Sequence, residues 1–396
     1  MSEQYYFDHA ASAPRRAEVT EAMARWQVGV VGNPSGSHRA ARDARRAVEE
    51  ARDEVAALVG SKPGGVIFTG GGTESCHLAI VGVTNRHRRS HEKSEIVISK
   101  IEHHAVTDSA EMMARDHDNV EVRYIDVDSD GVVDLDSLQA IVSENTSLVS
   151  VMAVNNETGV RQPLDGVNSI AKSFVPGGVP THTDAVAAAP WLSLAVVTGT
   201  TDLISICAHK LGGPVNAGAL IVRNDVAFDA VTPGGGQERG RRGGTVDVAA
   251  AVGLAVAMRA TERELVEVNE RVLDYQQKLT SALSFLPGCL ITAPNAYRVP
   301  GTVHVTFEGL ASDELLFLLD QRGVCASAAA SCSSGAATSS HVLAAMGVSP
   351  ERSRGSLRFS MGAETTQEDV DQLIAILSSV VFQLRAETTP DRQLAN

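Results

Sequence analysis

Between residues 40 and 384, short β-branched runs alternate with stretches whose apolar positions recur every three or four residues. Residues 40–59 set the helical pattern: Ala44, Val48, Ala51, Val55 and Leu58 share a face, and Gly60 ends it. Val66-Ile67-Phe68-Thr69 then reads as a strand, followed by Gly70-Gly71-Gly72-Thr73 and a helix that carries Leu78 and Val81. Further strands are predicted at 96–99, 120–125, 148–154, 203–207 and 219–222, with helical segments between most of them. Such alternation predicts a largely parallel sheet with helices on both faces and right-handed crossovers.

The pattern changes near Met258. A long charged helix is predicted at 261–283, then a strand at 302–307, a helix at 313–319, a strand at 356–360 and a terminal helix at 366–384. We therefore expect two units: a large one over residues 16–260, and a smaller α+β one from 1–15 and 261–396. Residues 325–340 are nearly all Ala, Ser, Cys, Gly and Thr, which bury little apolar area, so a mobile loop is expected there. The end of the chain, 387–396, is expected to fray.

Composition narrows the function. Lys plus Arg is 34 and Asp plus Glu is 48, so the 396-residue chain carries 34 − 48 = −14. An acidic chain gains little from a phosphate backbone, which disfavours nucleic-acid binding. The longest apolar runs, 185–197 and 248–258, are too short to span a bilayer, and no membrane association is expected. The start lacks a basic region and an apolar signal core, so a cytoplasmic location is expected. Five cysteines (Cys76, Cys207, Cys289, Cys325 and Cys332) show no two-residue spacing of a zinc knuckle or redox dithiol. Neither a metal site nor a disulfide framework is expected, which leaves free thiols for chemistry.

Five polar clusters sit at strand ends, Asp184 at the end of one within Thr181-His182-Thr183-Asp184-Ala185. The glycine run 70–72 with Thr73 can present backbone N–H groups and a helix N-terminus to an anion, although a plain βα turn has the same composition. No Lys follows the glycines, so it is not a P-loop. His209-Lys210 follows the apolar strand 203–207, where burial favours a neutral amine able to attack an aldehyde. Asp184 can hold a proton on a pyridinium nitrogen or cap a helix. Glu102-His103-His104 offers a ring that can stack or shuttle protons, and Asn155-Asn156-Glu157 offers amides for a ligand oxygen. Ligand sites in open α/β sheets lie at such strand ends. A phosphate cradle, a ring acid, a ring stacker and a reactive lysine together describe pyridoxal 5'-phosphate.

The order of motifs is more specific than any one of them. Asp8-His9-Ala10-Ala11, Gly32-Asn33-Pro34, the run 68–75, Glu102-His103-His104-Ala105-Val106, Val154-Asn155-Asn156-Glu157, His209-Lys210, the run 234–240, Gly244-Thr245, Ser331-Cys332-Ser333-Ser334-Gly335 and Arg358-Phe359-Ser360-Met361-Gly362 span almost the whole chain. In that order they resemble the cysteine desulfurases, in the class V aminotransferase group of pyridoxal phosphate enzymes. The resemblance implies the type I fold of that group, α/β with a mostly parallel seven-stranded sheet plus a smaller domain that carries the catalytic cysteine loop. It implies removal of sulfur from L-cysteine, giving L-alanine and a persulfide on Cys332. The sulfur would pass to an acceptor protein for iron–sulfur cluster assembly, tRNA thiolation or DNA phosphorothioation.

By the same resemblance, Lys210 would be joined to the cofactor's aldehyde. Gly72, Thr73 and His209 would hold its phosphate, with Thr245 reaching the phosphate of the neighbouring subunit of a homodimer. His103 would stack on the ring and move protons, Asp184 would pair with the ring nitrogen, and Asn33, Asn156 and Arg358 would meet the substrate. Three departures stand out. Ala187 replaces the Gln usual in Asp-Ala-x-Gln, Cys207 replaces the usual Ser or Thr before His-Lys, and Val215-Asn216 replaces Lys-Gly after Gly213-Pro214. Each lost contact removes on the order of 1 kcal/mol of cofactor holding. Ala187 and Cys207 leave room for another class V reaction, such as a selenocysteine lyase or an aminotransferase. A degenerate scaffold without cofactor is disfavoured by Lys210, Asp184, His103 and Cys332.

Overall fold

The β-branched runs become strands of one sheet in the computed structural model, which describes residues 4–223, 226–328 and 340–388. Cys332 and the rest of 329–339 lie outside the described residues, as do 389–396, where most of the expected frayed end falls. Among the described residues the main sheet has seven strands. They are β1 (Val66–Thr69), β2 (Ser94–Ser99), β3 (Val120–Ile125), β4 (Thr146–Ser150), β5 (Thr181–Asp184), β6 (Leu203–Cys207) and β7 (Gly218–Val222). Their order is β1-β7-β6-β5-β4-β2-β3. β7 runs antiparallel to both neighbours and every other pair is parallel, so β1 points the same way as β6. The carboxyl ends of all strands but β7 therefore emerge on one side, where the candidate residues sit. This is the mostly parallel α/β sheet expected.

All residues of β2, β4, β6 and β7 are buried, as in strands covered on both faces. Edge strand β3 buries Val120 and Ile125 but exposes Glu121 and Tyr124, and charge on an edge discourages pairing with another chain. β4 is shorter than the predicted strand at 148–154. Beyond Ser150 the chain stays tied to β5 through Val151 N to His182 O (3.1 Å) and Ala153 N to Asp184 O (2.9 Å).

The long helix also differs. It spans Val248–Leu283 as one 36-residue element rather than beginning near 261. Asp247 caps it by accepting from Ala250 N, and its first turns bury Val248, Ala249, Ala251, Leu254 and Ala255. A helix buried nearly all round has no polar face to reveal its period. A second, antiparallel sheet follows: β8 (Cys289–Ile291), β9 (Thr302–Phe307) and β10 (Ser356–Ser360), in the order β10-β9-β8. Residues Tyr5–Tyr6 pair in parallel with Val324–Cys325. Among the described residues no helix is long and apolar enough to cross a membrane.

Candidate functional site

The turn after β1 enters the helix Gly72–His87. Gly71 has φ +141°, a conformation that favours glycine, and a Cβ on Gly72 would lie 2.8 Å from Val186 Cγ2. Local bonds fix the turn. Thr69 Oγ1 meets Ser75 Oγ at 2.7 Å, Ser75 Oγ donates to Gly71 O at 2.9 Å, and Gly70 N donates to Glu74 Oε2 at 2.5 Å. Among the described residues no acceptor faces the N–H groups of Gly72 and Thr73. With the helix dipole behind them, these groups form a cradle for an anion. Thr73 is exposed at its rim.

β6 ends at Cys207, and His209-Lys210-Leu211 form a single tight turn. Gly212, at φ +74°, closes it, and Gly213 N returns to Ala208 O at 2.8 Å. Val186 and Cys207 both border Gly72, the latter with its Cβ 3.7 Å from a Cβ placed there, so the cradle abuts the lysine turn. Burial pushes the Cys207 thiol up to about 11, so it stays a neutral, weak donor; its Sγ lies 3.8 Å from His209 Nε2. Burial, then the nearby Lys210 charge, holds the His209 ring below its ordinary range. Lys210 lines a cavity with Asn156, Ala187, Trp191 and Ser360. Ala187 thus sits on the lysine's side of the site, where a longer side chain would enter that space.

Asp184 ends β5, is buried, and accepts from Val186 N at 2.9 Å. Behind it, His182 bridges β4 and β6 through Ser150 Oγ (2.8 Å) and Ser205 Oγ (2.9 Å), and burial lowers its ring to about 4. His103 caps the helix His104–Asp116, its Nδ1 accepting from Ala105 N at 3.0 Å. That bond leaves the proton of the neutral ring on Nε2. Burial holds the ring below its ordinary range, with Asp184 opposing and Lys210 reinforcing, so all three groups share one field. Glu102 beside it is fully buried, and burial pushes it up to about 8. Ser99 Oγ (2.6 Å) and Met152 N (2.8 Å) donate to Oε1, and Oε2 has no partner among the described residues.

The Asn155 side-chain oxygen accepts from Glu157 N and Thr158 N, both at 3.0 Å, and this turn presents Asn156 to the Lys210 cavity. Arg358, buried at the centre of β10, donates from Nη1 to Asn156 O (2.8 Å) and from Nη2 to Asp8 Oδ1 (2.9 Å). Its Nε has no acceptor among the described residues. Ser340 Oγ donates to buried Glu157 Oε2 at 2.5 Å. Asn33 is exposed before the helix Arg39–Leu58, accepts from Ser35 N, and does not line the Lys210 cavity. Thr245 is exposed beside a hollow it shares with Thr69, Gly70, Asn216 and Arg242 of its own chain.

The family model for aminotransferase class-V matches residues 5–373. The chain belongs to the aminotransferase class-V family. An IscS-like cysteine desulfurase of Mycobacterium tuberculosis is 39% identical over 386 residues, which is 96% of this chain and 97% of the relative. A solved NifS-like protein shares 32% identity at a TM-score of 0.88, covering 97% of this chain and 100% of that one. A solved SspA in complex with cysteine shares 30% identity at a TM-score of 0.78, covering 91% and 100%. Within class V the chain is a member of the cysteine desulfurase family, as its motifs imply, and it has the α/β fold of that group.

Class-V enzymes of this group depend on pyridoxal phosphate, and the residues present fit it. The cradle offers open N–H groups, and Asp184 is a buried carboxylate at a strand end. His103 lies within electrostatic reach of both Asp184 and Lys210. Sequence reading missed three supports of this class-V site: Asp8 on Arg358, Ser340 on Glu157, and Arg242 on Glu74. Asp8 belongs to a recognisable motif, but no spacing signal links it to a partner 350 residues away.

Proposed function

We propose that this enzyme removes sulfur from L-cysteine, releasing L-alanine and leaving a persulfide on Cys332 for an acceptor protein. The observation that carries the reading is the meeting of Lys210, Asp184, His103 and the Gly72–Thr73 cradle at one set of strand ends. The N–H groups of Gly72 and Thr73, with His209, would hold the phosphate. Asp184 would hold the ring nitrogen's proton, and the His103 ring would cover the ring face. Bound at Lys210, pyridoxal phosphate supplies an electron sink for the pair left when a proton departs from the substrate's α-carbon.

Among the described residues Arg358 spends one N–H of each terminal nitrogen, which leaves three others, Nε–H included, for the substrate carboxylate. Lys210 Nζ takes the α-proton, and the Nε2–H of neutral His103 is a proton donor. The Cys332 thiolate attacks the substrate sulfur. A sulfur–sulfur bond forms, the carbon–sulfur bond of cysteine breaks, and the carbon takes a proton to become alanine. No outside oxidant is needed.

This reading includes a homodimer in which Thr245 serves the neighbouring site, and a large and a small unit meeting near residue 260. It also includes a cytoplasmic location, where Cys76, Cys207, Cys289 and Cys325 stay free thiols. The test measures alanine and sulfide from cysteine with a thiol reductant, for the parent and Cys332→Ser. The reading expects the parent to yield both in equal amounts and the variant to lose sulfide release. Sulfide at the parent rate from Cys332→Ser would remove Cys332 from the mechanism.

A further inference from the structure

Glu74, in the first turn of the helix that opens the cradle, accepts Gly70 N on Oε2 at 2.5 Å. Its two oxygens also take Arg242, Nε at 2.7 Å and Nη2 at 3.2 Å. Burial alone would raise the Glu74 carboxyl; Arg242 and the Gly70 N–H outweigh it and hold it below its ordinary range, so the pair stays charged at neutral pH. Arg242 belongs to the glycine-rich segment 234–245.

That segment has a second anchor, on β1. Glu238 accepts from both terminal nitrogens of Arg52 at 2.8 Å and from Phe68 N at 2.9 Å. Glu238 and Arg239 hold φ +47° and +59°, conformations that L-residues adopt at a cost. A strained segment fastened once to β1 and once to the first turn of the helix that follows fixes the position of what lies between them. What lies between Phe68 and Glu74 is the glycine turn itself. With Gly70 N and Gly71 O occupied, the N–H groups of Gly72 and Thr73 still have no acceptor among the described residues and can face an anion.

We propose that Glu74 and Arg242 are positioning residues for the phosphate of the cofactor, acting through the Gly70 backbone and tying the cradle to the segment that carries Thr245. The inference rests on the pyridoxal phosphate reading of the site. It separates the phosphate from the ring, because the pair borders the cradle and neither Lys210 nor Asp184.

The test titrates the full chain, freed of cofactor, with pyridoxal phosphate and with pyridoxal, which lacks the phosphate, following the absorbance of the lysine adduct. Arg242→Gln and Glu74→Gln should each weaken pyridoxal phosphate binding by about tenfold or more, the loss of charge-assisted hydrogen bonds. Pyridoxal binding and the melting temperature of the cofactor-free chain should stay at the parent values. Arg242→Lys should fall between, and it keeps the test standing if a Gln variant misfolds. Equal weakening of both ligands, or no weakening of pyridoxal phosphate, overturns the inference while the cofactor reading survives. A parent chain that binds neither ligand overturns both.

Discussion

Arg52 and Glu238 form a buried ion pair whose removal should be felt across the molecule. Both are under a tenth exposed, at 6% and 8%. Arg52 Nη1 and Nη2 each reach a Glu238 oxygen at 2.8 Å, and Arg52 Nη1 also donates to Val66 O at 2.7 Å. Glu238→Leu would leave a buried guanidinium whose one remaining counter-charge among the described residues is Glu49, which is half exposed. It would also strip the acceptor from Phe68 N. Breaking one side of a buried pair costs about 3–5 kcal/mol. Arg52→Met should cost a similar amount, since it leaves the carboxylate of Glu238 buried. The double variant removes both charges, and its remaining penalty is chiefly the orphaned Phe68 N–H and the loss of the Arg52 bond to Val66 O, about 1–3 kcal/mol each. It should therefore be more stable than either single variant. Urea unfolding of the four proteins, compared at constant m-value, reads this directly. A double variant destabilised by the sum of the singles would refute the coupling.

Three other outcomes follow from the site. Gly72→Ala places a Cβ 2.8 Å from Val186 Cγ2, so the cradle must shift; cofactor affinity should fall about tenfold and recover in part when Val186→Ala is added, as a binding titration would read. Glu102, pushed up to about 8, keeps a proton in the folded chain that the unfolded chain loses above about pH 4.3. Its contribution to stability is full below that pH and is lost as pH rises through 8; Glu102→Gln should flatten the fall in melting temperature over this window. His103, held below its ordinary range, stays neutral through pH 7, so a desulfuration rate that needs its Nε2 proton should change only below the usual histidine range, and His103→Gln should abolish that acid limb in a pH–rate profile.

Strands announced themselves wherever β-branched residues ran unbroken between turns. β1 and β6 appear where Val66-Ile67-Phe68-Thr69 and Leu203-Ile204-Ser205-Ile206-Cys207 predict them. The first turns of Val248–Leu283 were hidden because alanines and valines cover every side of that helix. β8 is three residues long and too short to carry a period. Thr73, His103, Asn156, His209 and Lys210 were legible because each follows a strand and Asp184 ends one, and topology then gathers strand ends; Asn33, Thr245 and Arg358 were legible only through the order of motifs. What holds those residues was not legible. Arg52 and Glu238 are 186 positions apart, Ser340 and Glu157 are 183 apart, and each alone reads as an ordinary surface residue. Asp202, buried at the start of β6's approach, likewise takes Lys172 and Thr181 N from outside its own segment. Pairings set by the folded sheet leave no local trace in the chain.

The central claim is that one amine, Lys210 Nζ, bonds to the aldehyde of a vitamin B6 cofactor. Borohydride reduction of the cofactor-saturated protein, followed by proteolysis and peptide mass mapping, tests it most directly. The account predicts a single phosphopyridoxyl mass on the peptide containing Lys210, absent from Lys210→Ala. A tag on another lysine, or none in saturated protein, would contradict it.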